Sequence, residues 1–474
     1  MMLSHSARTG HGLVLLFATL VSLSALTFSA SPAYAVSEVF VDFGAGPTSW
    51  KANLDSLTGT IGMAPIGPGE LMGLESIILS ELDRIYADFD VTFTTTLPAS
   101  PTNIIDFTKG VGTSLLIPGP SLPKGIADTD WLNRQFFPPS RSYQLAEIFS
   151  QEFDDIVDEF IGSMPGPGRM PMIVQLGTAL GGTAAHELGH TYGLYHWDAY
   201  GDPAIGPAGP GMFPGESIIF DTMSIQNSHI MATGETGLME IGRESARTLS
   251  RYSKAKLEIA SDPSVSPEPL VSTPFIHTLE IPMPHPIFPL AQPLESTALP
   301  ISGLHAANVH AAGMGPLTPG GGLLTDMYVI STTGSGLVTA EVVSVLDYAT
   351  SVETTLKIYD AGGTLIYAAD DLSFGPPMPN MIFSSVAPGA VDSVFGDGLE
   401  DDPLLLNMAL PAGLYFVEVS LDIDGIHAGP PGATPLFYDL FVTSETRFTF
   451  VPEPTSFLLL AISALALAHG RWRR

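Results

Sequence analysis

The chain of 474 residues has no cysteine. That absence excludes disulfide staples, so stability must come from core packing, to which metal ions can add. Basic residues are also scarce, with 18 Lys and Arg against 49 Asp and Glu, a net charge of −31. So few cations cannot neutralise a phosphate backbone, and nucleic acid is excluded as a partner. No Gly-rich phosphate loop and no nucleophile elbow occurs anywhere in the chain. What is present is apolar residue in quantity, 45% of the chain, enough to build real cores. The length exceeds a usual single domain, so two folded units plus processing segments are expected.

The most informative segment is His186-Glu187-Leu188-Gly189-His190-Thr191-Tyr192-Gly193-Leu194-Tyr195-His196. On a helix His186 and His190 lie one turn apart and point the same way, so both reach one metal ion. Glu187 sits beside the first of them, where a carboxylate can act as general base. Gly193 adopts backbone angles denied to other residues, letting the helix stop and the chain turn. The turn returns His196 as a third ligand and leaves a fourth position open, as catalytic zinc sites require. A bare HExxH occurs often by chance; the extended pattern is far rarer. The run before it, residues 173–185, is mostly apolar and small, as in a buried helix.

In these residues the chain resembles the metzincin clan of zinc metallopeptidases, and within it the matrixin-like members. The resemblance covers residues 36–260, about half the chain. It implies zinc ligands His186, His190 and His196, Glu187 as general base, and a methionine turn beneath the metal. Two methionines compete for that turn. Met231, in His229-Ile230-Met231-Ala232-Thr233-Gly234, is preferred over Met223 because small residues and a glycine follow it, and then a helix-like segment, 241–257. Thr233 or Ile225 stands where some members carry a tyrosine ligand, so a tyrosine ligand is not expected. The thiol latency of matrixin zymogens has no counterpart in a chain without cysteine.

Both ends read as export signals. Arg8 precedes an apolar run, 13–28, and Ala33-Tyr34-Ala35 supplies a cleavage pattern, so residues 1–35 are expected to be a signal peptide. Val451-Pro452-Glu453-Pro454, an apolar run over 457–468 and a basic close, Arg471-Trp472-Arg473-Arg474, resemble a PEP-CTERM sorting signal. That resemblance implies an exosortase-type processing enzyme as partner. It also implies transient anchoring of residues 451–474 in the inner membrane and an extracellular or cell-surface location. An uncleaved anchor is the alternative.

Between the ends, residues 39–43 and 91–95 read as strands, and Leu71, Leu74, Ile78, Leu82 and Ile85 recur at helical spacing. The stripe over 145–160 reads as a second amphipathic helix. Asp198, in the Gly- and Pro-rich loop after His196, reads as a surface carboxylate. Prolines and glycines crowd residues 261–323, which read as a linker. Short β-type runs over 337–345, 354–358, 364–368 and 413–421 predict an antiparallel sandwich across residues 324–450. Two of them resemble a pre-peptidase C-terminal domain. Asp360, Asp370 and Asp371 offer oxygen ligands suited to Ca2+, and turn chemistry explains them equally well.

The expectation is therefore an α+β metzincin catalytic domain followed by an all-β antiparallel sandwich. Its expected function is that of a zinc-dependent endopeptidase acting on protein or peptide substrates. The alternative is an exported surface or matrix-associated binding protein whose zinc site is non-catalytic.

Overall fold

The computed structural model describes residues 37–44, 49–99, 103–110, 125–127, 143–153, 156–157, 160, 167–194, 198, 229–231, 246–260, 270, 278–279, 291–314, 325–345, 354–370, 404–421 and 436–449. The fold is mixed α+β, with several mostly antiparallel sheets and, among the described residues, few helices. The predicted signal peptide, the sorting segment, His196, Met223 and Asp371 lie outside the described residues.

Four strands of the first sheet carry its N-terminal core. They are β1 (Ser37–Asp42), β2 (Val91–Thr94), β3 (Asn103–Asp106) and β5 (Gln144–Ile148), with the short β4 (Gly125–Ala127) at the edge. The order is β2-β1-β3-β5-β4, all parallel neighbours except β4, which runs antiparallel to β5. Helix α1 (Trp50–Thr60) buries Trp50, Leu54 and Leu57, with the Trp50 ring against Phe43 and Phe107.

Helix α2 (Pro68–Ile85) begins as its sequence dictates. Pro68 occupies the first turn, where a missing N–H costs nothing, and the Glu70 carboxylate accepts from the Gly67 amide at 2.8 Å. Leu74, Ile78, Leu82 and Ile85 form its buried stripe, as the spacing predicts. Each such burial contributes about 1.5–3 kcal/mol.

Helix α3 (Met170–Thr191) packs on α2 through glycines. A Cβ on Gly177 would fall 2.8 Å from Ile77 Cγ2, and one on Gly181 would fall 2.8 Å from Glu81 Cβ. These positions, one turn apart, let the two helices approach too closely for any larger residue.

The stripe over 145–160 is not one helix. Residues 144–148 form β5, with Gln144, Ala146 and Ile148 buried in alternation. Pairing with β3 on one side and β4 on the other outweighs the helical reading of the apolar positions. Ile156 and Val157 are helical and buried, so the stripe is apolar as read but split between two conformations.

The second region is a pair of six-stranded sheets packed face to face. One contains β12 (Thr354–Asp360), β13 (Leu365–Asp370), β15 (Gly413–Leu421), β10 (Thr325–Thr332) and β17 (Phe448–Thr449), with β7 (Gln292–Pro293) beside β10. The other contains β14 (Leu404–Leu410), β11 (Gly336–Val345), β16 (Leu436–Ser444), β9 (His305–Met314) and β6 (Thr278–Leu279), with β8 (Thr297–Ala298) beside β9. Tyr328, Ile330, Leu356 and Val417 from one sheet share a core with Val309, Val338, Val342 and Leu440 from the other.

The segment read as a linker, 261–323, is therefore corrected. Its described residues supply β6 to β9, and β9 pairs with β16 along nearly its whole length. Ala306, Ala307, Asn308 and Val309 are all buried, so both faces of β9 are covered and no polar–apolar alternation is visible in sequence.

Helix α4 (Arg251–Ile259) joins the two regions. Its N-cap Ser250 accepts from the Ser253 amide, and residues 246–250 before it are not helical, so the helix-like segment 241–257 begins later than its sequence suggests. Leu257 packs into the α+β core, while the Glu258 carboxylate accepts from the amides of Ile301 and Ser302 at 3.0 and 2.9 Å. The described residues from Ser37 onward belong to one compact unit.

Candidate metal centre

The C-terminal half of α3, largely buried, carries His186, Glu187 and His190, and its end is set by the chain itself. Gly193 has φ 86°, the left-handed conformation that glycine adopts without steric cost. The Leu194 amide donates to the Gly189 carbonyl at 3.0 Å and the Gly193 amide to that of His190 at 2.9 Å. Together these form a Schellman closure that folds Leu194 back over the last turn.

The consequence falls on His190. Its Nδ1 lies 2.8 Å from the Leu194 carbonyl oxygen, which can only accept, so Nδ1 carries the proton and donates. His186 is oriented in the same way from a different part of the chain, with Nδ1 2.8 Å from the Ile230 carbonyl oxygen. The Ile230 amide in turn donates to the Thr248 carbonyl at 2.8 Å. Both rings therefore turn Nε2 inward, and the two Nε2 atoms stand 3.2 Å apart.

That spacing decides what the pair can do. With both Nδ1 atoms protonated, each Nε2 is an acceptor, and an electron-poor group placed between them can bind both. A proton could do so, but burial holds the His190 pKa down to about 4, with the Leu194 carbonyl opposing that shift only partly. Two nitrogens on one tetrahedral zinc at about 2.0–2.1 Å stand about 3.3 Å apart. Each ring N–H donating to a backbone carbonyl is the outer-shell arrangement that orients metal-ligating histidines. His186 and His190 are therefore spaced to fill two positions on one zinc ion.

Glu187 is buried, 7% exposed, and burial raises its pKa to about 8. Alone in that setting it holds its proton; a cation beside it favours the carboxylate. Met231 is fully buried, and its Sδ lies 2.6 Å from where a Cβ on Gly189 would sit. The helix can approach this methionine only because position 189 is glycine. Tyr86 OH donates to the Ala185 carbonyl at 2.9 Å, and Ser37 Oγ meets Tyr192 OH at 3.2 Å, tying the ligand-bearing end of α3 to α2 and β1.

The structure thus brings His186, His190, Gly189 and Met231 together. Among the described residues no group of three or more His, Asp or Glu stands close enough to hold a metal. Asp198 differs from its sequence reading as a surface carboxylate. It is fully buried and ion-paired with Lys256 at 2.8 Å. Asp360 accepts the Gly362 and Thr364 amides on one oxygen, both at 2.8 Å, so it serves the β12–β13 turn. The carbonyls of Ile230 and Leu194 were not legible beforehand, since every residue has a carbonyl and only the fold aims one. No known family model matches the chain, and no curated protein matches it either.

Proposed function

We propose that this chain is an exported zinc-dependent endopeptidase of the metzincin type. The observation that carries the reading is the pair of Nε2 atoms 3.2 Å apart, each ring fixed through Nδ1 to a backbone carbonyl. His186 and His190 would hold the metal, with His196 as third ligand by the sequence pattern. When bound, zinc supplies Lewis-acid polarisation of a scissile carbonyl and acidification of water.

The chain's own groups supply the rest. Glu187, buried and drawn to its carboxylate form by a cation, takes the proton of the attacking water and delivers it to the leaving amine. Nδ1–H donation to Leu194 and Ile230 keeps both imidazoles neutral at Nε2 and fixed in direction. Met231 packs against Gly189 and supports the helix from behind the ligands. The sheet ends on β4, antiparallel to β5, and an extended peptide adds to such an edge by main-chain hydrogen bonds.

The matrixin-like identity, export by residues 1–35 and sorting by 451–474 through an exosortase-type enzyme belong to the same reading. They rest on the sequence patterns. Calcium at the sandwich turns rests on sequence alone, and Asp360 is already engaged by backbone amides.

The test is hydrolysis of a casein-type substrate by the purified chain, with and without a chelator, beside Glu187→Ala. Chelator-sensitive cleavage, with Glu187→Ala inert yet still holding zinc, supports the proposal. Undiminished turnover by Glu187→Ala sinks the assignment of the base. Zinc bound with no cleavage of any protein substrate leads instead to the exported binding protein.

A further inference from the structure

Helix α4 and the residues just before it bond to two segments near the histidine pair, and α4 is in turn bonded to the sandwich. Two arms run from the centre to this helix. On the first, His186 Nδ1 donates to Ile230, whose amide donates to Thr248, three residues before α4 begins. On the second, Asp198 is gripped twice. Ser250 Oγ donates to its backbone carbonyl at 2.7 Å, and Lys256 Nζ lies 2.8 Å from its carboxylate. Asp198 is four residues beyond Leu194, whose carbonyl orients His190.

The anchor for α4 lies on a different sheet. Lys256 Nζ also donates to Glu341 Oε1 at 2.8 Å, and Tyr252 OH donates to Glu341 Oε2 at 2.6 Å. Glu341 sits within β11, paired with β14 on one side and β16 on the other. Asp198, Lys256, Glu341 and Tyr252 are each at most 2% exposed. A buried carboxylate–ammonium–carboxylate arrangement contributes little net stability compared with apolar packing of the same volume. Its geometry is rigid, however, because every charge has a fixed partner. Packing alone would have joined these regions with apolar residues; a charged triad specifies one register of α4.

We infer that Glu341 is a positioning residue for the metal centre, acting from the sandwich through Lys256 and α4 on the segments that orient His186 and His190. The inference rests on the zinc reading above. It makes the sandwich a part of the metal site's scaffold rather than an appended module.

The test uses the full chain with zinc and, as a spectroscopic probe, cobalt(II). Metal affinity is measured by chelator competition, and the cobalt visible bands report ligand number and geometry. Glu341→Gln keeps the shape and removes the charge; Glu341→Leu removes both acceptors. Folding of each is checked by circular dichroism. Affinity is expected to fall about tenfold in the first and nearer hundredfold in the second, with weakened cobalt bands in both.

A folded variant with a lower melting temperature but wild-type affinity and cobalt spectrum would make Glu341 merely structural and overturn the inference. Should Glu341→Leu not fold, Glu341→Gln decides by the same criterion. A wild-type chain that binds neither metal removes the zinc reading, and this inference with it. Metal bound equally by wild type and variants removes this inference alone.

Discussion

Buried polar groups are treated in opposite ways by the two halves of this molecule. In the sandwich they close on one another: Tyr438 OH donates to Asp326 Oδ2 at 3.0 Å and meets Tyr328 OH across the two sheets. Thr355 and Ser420 pair similarly between β12 and β15. In the α+β half, two imidazoles are fixed so that their acceptor nitrogens face each other at 3.2 Å. The first arrangement is complete as it stands. The second has the geometry in which one cation bound between the two nitrogens would bridge them. The contrast is between polar groups that pair with one another and two imidazoles whose Nε2 atoms are turned toward each other.

Three substitutions test that contrast. The largest effect is expected from Met231→Ala. It empties a fully buried side chain against α3 and should lower stability by about 2–5 kcal/mol, read by denaturant unfolding, with weaker zinc binding as the ligand helix loosens. Gly189→Ala places a methyl 2.6 Å from Met231 Sδ and should cost about 1–3 kcal/mol by overpacking. Because the two residues share one contact, the double variant should be more stable than the sum of the single losses predicts. Additive losses would show that the contact does not exist in solution. The smallest change belongs to the sandwich. Tyr438→Phe removes the donor to Asp326 and should cost about 1–2 kcal/mol while leaving metal affinity unchanged. A fall in affinity there would erase the distinction between the halves.

Legibility from sequence followed the same division, for physical reasons. The α2 stripe was visible because one face is buried and the other solvated, so Leu74, Ile78 and Leu82 repeat every turn. For strand β15 the sequence pattern predicts residues 413–421, which are its observed bounds. By contrast the sequence over β5 predicts a helix, since its apolar positions run on into Phe149 and Phe153, and only pairing with β3 and β4 decides in favour of a strand. Strand β9 was hidden by alanines and by burial on both faces.

At the site, the histidine spacing was explicit because a helix turns the interval of four into one face. The sources of rigidity were not. The Leu194 and Ile230 carbonyls are contributed by main chain. Lys256 and Glu341 stand 85 positions apart, with no local pattern to mark them as partners. Charged residues in sequence read as surface; only the fold shows Asp198 buried.

The measurement that bears most directly on the account is the zinc content of the purified chain and of His190→Ala, determined by elemental analysis after dialysis against zinc. One zinc per chain in the wild type, and almost none in a folded His190→Ala, is the result expected if the facing imidazoles hold a metal. Zinc retained by His190→Ala, or none bound by the wild type, would contradict it.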